Sequence, residues 1–115
     1  PIFSSGVMFA TVSSHRAANL VIKKLKGESV DWDVDYTNFI RQGVDTFRTF
    51  VMAWYDGTLE KIFFSKNPDP DIKRQICSVL AGYVWDKTNP YVRDHGIAIK
   101  RLAKLIDVQE KLSSL

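Results

Sequence analysis

The sequence is poor in the residues that build covalent or metal-held scaffolds. It has one cysteine, Cys77, and two histidines, His15 and His95. A lone thiol closes no internal disulfide, and with no Cys or His at ligand spacing around it, no zinc module can form. The histidines have no carboxylate or cysteine at ligand spacing and read as surface or internally satisfied side chains. Glycines stand at 6, 27, 43, 57, 82 and 96, and no two have the spacing of a dinucleotide or phosphate loop, so the chain carries no nucleotide fingerprint. Long apolar runs are missing too, because Lys, Arg, Asp or Glu interrupts every stretch short of the ~18 residues that a membrane span requires. There is no internal repeat, no low-complexity tract and no β-branched alternation of strand type. The charge excess is small, +3 over the whole chain, and the "KKLK" cluster at 23–26 reads first as a solvated helix end that complements the helix dipole. No nucleic-acid partner and no membrane span are expected.

What is present is ordinary globular composition, with 45% hydrophobic and 25% charged residues in 115. That suffices for one core. The unpaired thiol fits a reducing compartment, and a cytoplasmic location is the expectation. The opening "PIFSSGVMFA" has no Met, no signal-like charged region and no loose polar tail before its apolar run. It reads as the middle of a longer protein.

Hydrophobic spacing near 3.6 residues predicts an all-α fold of about four helices. The first runs from just after Gly6 to about Lys26, with Gly27 as a left-handed stop. Its stripe of Val7, Ala10, Thr11, Ser14, Ala17, Ala18, Val21 and Leu25 is mostly small. Such a stripe suits a closely packed neighbour, expected to be another polypeptide rather than the later helices. The second helix spans about Asp33 to Tyr55 and stops at Asp56-Gly57, with Tyr36, Phe39, Ile40, Gly43, Val44, Phe47, Phe50, Val51 and Trp54 on one face. "LEKIFFSKNPDP" has no clear period and reads as a connector anchored by Ile62, Phe63 and Phe64, since Pro68 and Pro70 forbid a continuous helix. Asp69 then caps a third helix with Pro70 at its first position, burying Ile72, Ile76, Val79, Leu80 and Tyr83. Thr88 or Asn89 caps a fourth, with Pro90 first in it and Ile99, Leu102, Ala103 and Ile106 inward to about Lys111. Gly96 marks a kink or a close contact.

Two clusters invite a chemical reading. Asp31, Asp33 and Asp35 could make a carboxylate pair, yet acidic residues at a helix start are explained by the dipole. Ser4, Ser5 and Gly6 precede the first helix, whose leading amides have no intrahelical acceptor. With the dipole behind them they suit an anion or the electron-rich edge of a ligand, and Gly6 leaves room for close approach. An ordinary serine N-cap explains the same residues.

"PIFSSGVMFATVSSHRAANLVIKKLKG" resembles the closing part of the FAD-binding region in flavin-dependent halogenases and related enzymes of the flavin monooxygenase superfamily. There an Asp-Pro pair and one or two variable residues precede Ser-(Ser/Thr)-Gly-(Val/Ile) and a long small-residue helix. "RQGVDTFRTFVMAWYDG", "IFFS" and "RQICSVLAGYVWD" are similar to the helical C-terminal region of the same family, particularly members acting on phenols or pyrroles. The resemblance covers most of the chain and is least specific beyond Pro90. It implies an α/β FAD-binding enzyme whose C-terminal helical part is this chain, with 1–27 closing the FAD-binding region and 28–115 forming the helical region over the substrate side.

The resemblance further implies that Pro1 and the amides of Ser4, Ser5, Gly6 and Val7 border the isoalloxazine ring of FAD, and that the Ser5 and Gly6 amides hold chloride. Phe3 stands where tryptophan-acting members carry a glutamate. A separate flavin reductase supplies reduced FAD in that family. The catalytic lysine, the Gly-rich loop and the Trp-x-Trp-x-Ile-Pro box belong to preceding sequence, so no catalytic residue is expected here and the chain alone should be inactive. Expected partners are the N-terminal FAD-binding part of the same enzyme or a second copy, and a small aromatic substrate, free or carrier-bound. An FAD-dependent monooxygenase or oxidoreductase without halogenation, and a helical interaction module without catalysis, are the alternatives.

Overall fold

The computed structural model describes residues 4–115. Among them every regular element is helical. Six α-helices occur, α1 (Ser5–Leu25), α2 (Asn38–Tyr55), α3 (Thr58–Phe63), α4 (Pro70–Leu80), α5 (Pro90–Arg93) and α6 (His95–Ser113), and a π-helix at Asp33–Thr37 leads directly into α2. The all-α expectation holds, and the four longer helices are the four that the spacing predicts.

The chain divides into two compact units, Pro1–Asp45 and Thr46–Leu115. In the first, α1 packs on the π-helix and ends where Gly27, at φ 82°, takes the left-handed conformation that a side chain would resist. The only large hydrophobic residue buried on α1 is Leu20. Phe9, Val12, Ser13, Arg16 and Ala17 are half-buried around it. Apart from Ala17 the small stripe faces away: Val7 is 72% and Leu25 82% exposed, and Ala10, Thr11, Ser14, Ala18 and Val21 are exposed between them.

Among the described residues, the second unit holds every other buried hydrophobic side chain. Phe47, Phe50 and Ala53 of α2, Leu59 and Ile62 of α3, Ile76 and Val79 of α4, and Ile99, Leu102 and Ile106 of α6 make its core. α6 packs against α3 and α5, and α4 against α5. Lys61 of α3 reaches Asp107 of α6 at 2.7 Å. Two caps set the helix starts. Asp69 Oδ1 accepts from the amides of Asp71 (2.8 Å) and Ile72 (3.2 Å). Asn89 Oδ1 accepts from the Tyr91 amide at 2.9 Å, while its Nδ2 donates to the Gln75 carbonyl at 2.9 Å. Asn89 is therefore the cap, and Thr88 instead hydrogen-bonds Asp86. Hydrogen bonds from the Thr58 side chain and amide hold the Asp56 carboxyl below its usual range.

Several local expectations are corrected. The connector after Gly57 contains α3, because the turn at Gly57 (φ 81°) restarts a helix and Leu59 and Ile62, three residues apart, are both buried. Of the three anchors, Phe64 is 79% exposed, since it follows the helix end and falls off the inner face. Tyr83 is 65% exposed, because α4 has already ended at Leu80 and its period no longer applies. The fourth predicted helix is broken at Asp94 into α5 and α6. An added Cβ at Gly96 would meet no heavy atom within 4 Å, so no close contact explains that glycine. The second predicted helix is π-helical over its first five residues.

Candidate functional site

The candidate site is the N-terminus of α1. Pro1 and Phe3 lie outside the described residues. Ser4 is the N-cap, at φ 48° and ψ 29°, the one non-glycine residue among those described with positive φ. Its side chain makes no capping hydrogen bond. A left-handed serine costs about 1 kcal/mol relative to ordinary backbone, so an N-cap serine of the usual extended kind, the simpler sequence reading, is not what stands here. The Ser4 carbonyl accepts from the Val7 amide at 3.2 Å. The amides of Ser5 and Gly6 lie ahead of any carbonyl that α1 can offer.

Access and charge favour a ligand here. Ser4, Gly6 and Val7 are exposed and Ser5 is half-buried. A Cβ placed on Gly6 would meet nothing within 4 Å. No acidic side chain lies in the first turn, so nothing in that turn neutralises the positive end of the dipole. Along the same side of α1, the Thr11 hydroxyl donates to the Val7 carbonyl at 2.9 Å, which turns its polar atom back into the helix.

The other sequence candidates resolve structurally. Asn19 Nδ2 lies 3.0 Å from His15 Nε2, one turn away, and His95 Nδ1 lies 2.6 Å from Thr49 Oγ1. Asp31 Oδ1 accepts from the amides of Asp33 and Val34 at 3.0 and 3.1 Å. Asp35 Oδ2 accepts from the Asp31 amide at 3.0 Å. These carboxylates cap the π-helix start, as the dipole argument expects. Among the described residues no group of His, Cys, Asp and Glu could hold a metal ion, and no helix is long and apolar enough to cross a membrane.

Sequence reasoning missed two features. One is Arg16, whose Nε donates to the Asp35 carbonyl at 2.9 Å while its guanidinium lies 4.4 Å from the Phe39 ring centroid. The available signal was a cation on the same side of α1 as Phe9, Val12 and Leu20. The other is a cleft of about 410 Å³ in the second unit, lined by Ile62, Ile72, Lys73, Leu102, Ile106 and Gln109 among others. Nothing in sequence spacing joins its walls, which come from α3, the segment 65–69, α4 and α6.

No protein-family model and no curated protein matches the chain. Among solved structures it is similar to a crystal structure described as a flavoprotein/dehydrogenase from Cytophaga hutchinsonii, at 57% identity and a TM-score of 0.90. The match covers 96% of this chain and 27% of that one. The chain is thus homologous to a part of a flavoprotein and spans about a quarter of that protein's length.

Proposed function

We propose that this chain is the C-terminal helical segment of an FAD-dependent oxidoreductase, with 1–27 closing the flavin-binding region and 28–115 forming helical cover on the substrate side. The observation that carries the reading is the 57% identity, sustained over 96% of the chain, to a flavoprotein. FAD, when bound, supplies the redox chemistry. The residues present fit such a group: an acid-free first turn, leading amides without helical acceptors and an open Gly6. In this reading the amides of Ser4 to Val7, with Pro1, hold and orient the ring edge. The exposed small-residue side of α1 meets the rest of the flavin-binding part.

The finer form of the proposal is a flavin-dependent halogenase acting on a phenol or pyrrole. The Ser-Ser-Gly-Val run and the Phe at position 3 support it. Here the Ser5 and Gly6 amides also bind chloride, and a separate reductase delivers reduced FAD. The catalytic groups lie in the upstream part of the enzyme. A non-halogenating oxidoreductase is the second reading, favoured by the description of the similar structure as a dehydrogenase.

The test is the full-length protein supplied with reduced FAD, chloride and a phenolic substrate, with products read by mass. A chlorinated product that disappears in Gly6→Val and persists in Ser5→Ala supports the halogenase. An oxidised, unhalogenated product supports the second reading. Failure to take up FAD refutes both.

A further inference from the structure

We infer that Arg16 is a positioning residue that fixes the direction of α1 by pinning it to the π-helix, and so aims the Ser4–Val7 amides at the flavin. The inference rests on the flavin reading of that loop. The π-helix at Asp33–Thr37 is built locally: the Asp31 carboxylate takes the amides of Asp33 and Val34, and the Asp35 carboxylate reaches back to the Asp31 amide. π-Turns are wider than α-turns and occur mostly as single turns, frequently at functional sites. Here the Asp35 carbonyl accepts a side-chain donor from another helix, Arg16 Nε at 2.9 Å.

The guanidinium makes two contacts in two directions. Its Nε donates to the Asp35 carbonyl, and its central carbon lies over the Phe39 ring, 4.4 Å from the centroid, at the start of α2. A planar guanidinium holds both contacts in one fixed geometry, which a compact ammonium on a flexible stem does not. Asp35 and Phe39 are one turn apart, so a single side chain fixes both the height and the rotation of α1 against this segment.

The consequence at the N-terminus follows from leverage. Arg16 lies about 16 Å along the axis from Ser5 and Gly6, at 1.5 Å per residue. A tilt of about 2° at the pin then displaces those amides by about 0.5 Å, which is the tolerance of a working binding constellation. Towards its N-terminus α1 adds the half-buried apolar side chains of Met8, Phe9 and Val12, and Arg16 supplies a polar link from α1 to the π-helix.

The experiment uses the full-length protein and the variants Arg16→Gln and Arg16→Lys, with Arg41→Gln, an exposed cation on α2, as control. FAD affinity by fluorescence titration and the visible circular dichroism of bound flavin are read beside the melting temperature. Both Arg16 variants should bind FAD about ten-fold more weakly or worse, with an altered visible band, while the control matches wild type. Lysine failing to rescue separates geometry from charge. Folded Arg16 variants whose affinity stays within about two-fold of wild type, with a superimposable visible spectrum, overturn the inference. Should they fail to fold, Phe39→Leu removes the aromatic ring beneath the guanidinium and keeps Arg16 and its Asp35 acceptor. It should weaken FAD in the same direction, and an unchanged affinity there overturns the inference too. If the wild-type protein takes up no FAD, the flavin reading falls by itself. The pin is then judged by hydrogen exchange: faster exchange at the start of α1 in Arg16→Gln supports it, and unchanged exchange overturns it.

Discussion

Replacing Gly6 with Ala should move stability and flavin binding in opposite directions. Gly6 is the second residue of α1, its φ is not left-handed, and an added Cβ meets no heavy atom within 4 Å. Nothing among the described residues opposes a methyl group. Ala is favoured over Gly in a helix interior by up to about 1 kcal/mol, and by less in the first turn. Flavin-free protein should therefore gain about 0.5 kcal/mol and melt roughly 1–2 °C higher. With FAD the same methyl stands where the ring edge approaches the leading amides. Losing one such hydrogen bond costs about 1–3 kcal/mol, or roughly ten-fold to a hundred-fold in affinity. Thermal melts of the flavin-free protein and fluorescence titration with FAD read the two effects separately. Gly6→Ala protein that binds FAD as tightly as wild type would refute the reasoning, because it would show that no ligand approaches those amides.

Other outcomes follow from the second unit. Asn89→Ala removes both the cap on Tyr91 and the donor to the Gln75 carbonyl, and should cost about 2–3 kcal/mol in denaturant titration. Thr88→Ala, which alters only exposed contacts to Asp86, should cost less than about 1 kcal/mol. Burial, together with the nearby Asp69 carboxylate, holds the Tyr91 phenol above its ordinary value of 10.0. The unfolded chain therefore ionises first, and the stability tied to this residue is complete below about pH 10 and lost as pH rises through the folded value. Tyr91→Phe should show a smaller alkaline loss than wild type in urea melts at stepped pH. Equal losses would contradict the assignment.

Punctuation was the most legible part of this sequence. Gly27 and Gly57 stop helices at φ 82° and 81°, and Asp69-Pro70 and Asn89-Pro90 start them, because each residue type suits one backbone position. The inward residues of α6 followed from period alone. A six-residue helix such as α3 is too short to display a period, and its two buried residues look like connector anchors. The break at Asp94 carries no proline or glycine at the break itself. The π-helix depends on carboxylate-to-amide hydrogen bonds that mimic an ordinary helix start in sequence. At the candidate site, the run Ser4 to Val7 was legible as a helix start with exposed amides. The left-handed Ser4 was not, since a serine there predicts an extended cap. The Arg16 pin joins residues 19 apart, a pairing that only the fold reveals.

The most direct test of the central claim is a crystal structure of the full-length protein with FAD bound. The account predicts the isoalloxazine edge within hydrogen-bonding distance of the Ser5 or Gly6 amide, with α1 held through Arg16 to the Asp35 carbonyl. A flavin seated elsewhere, with the α1 N-terminus facing solvent, would contradict it.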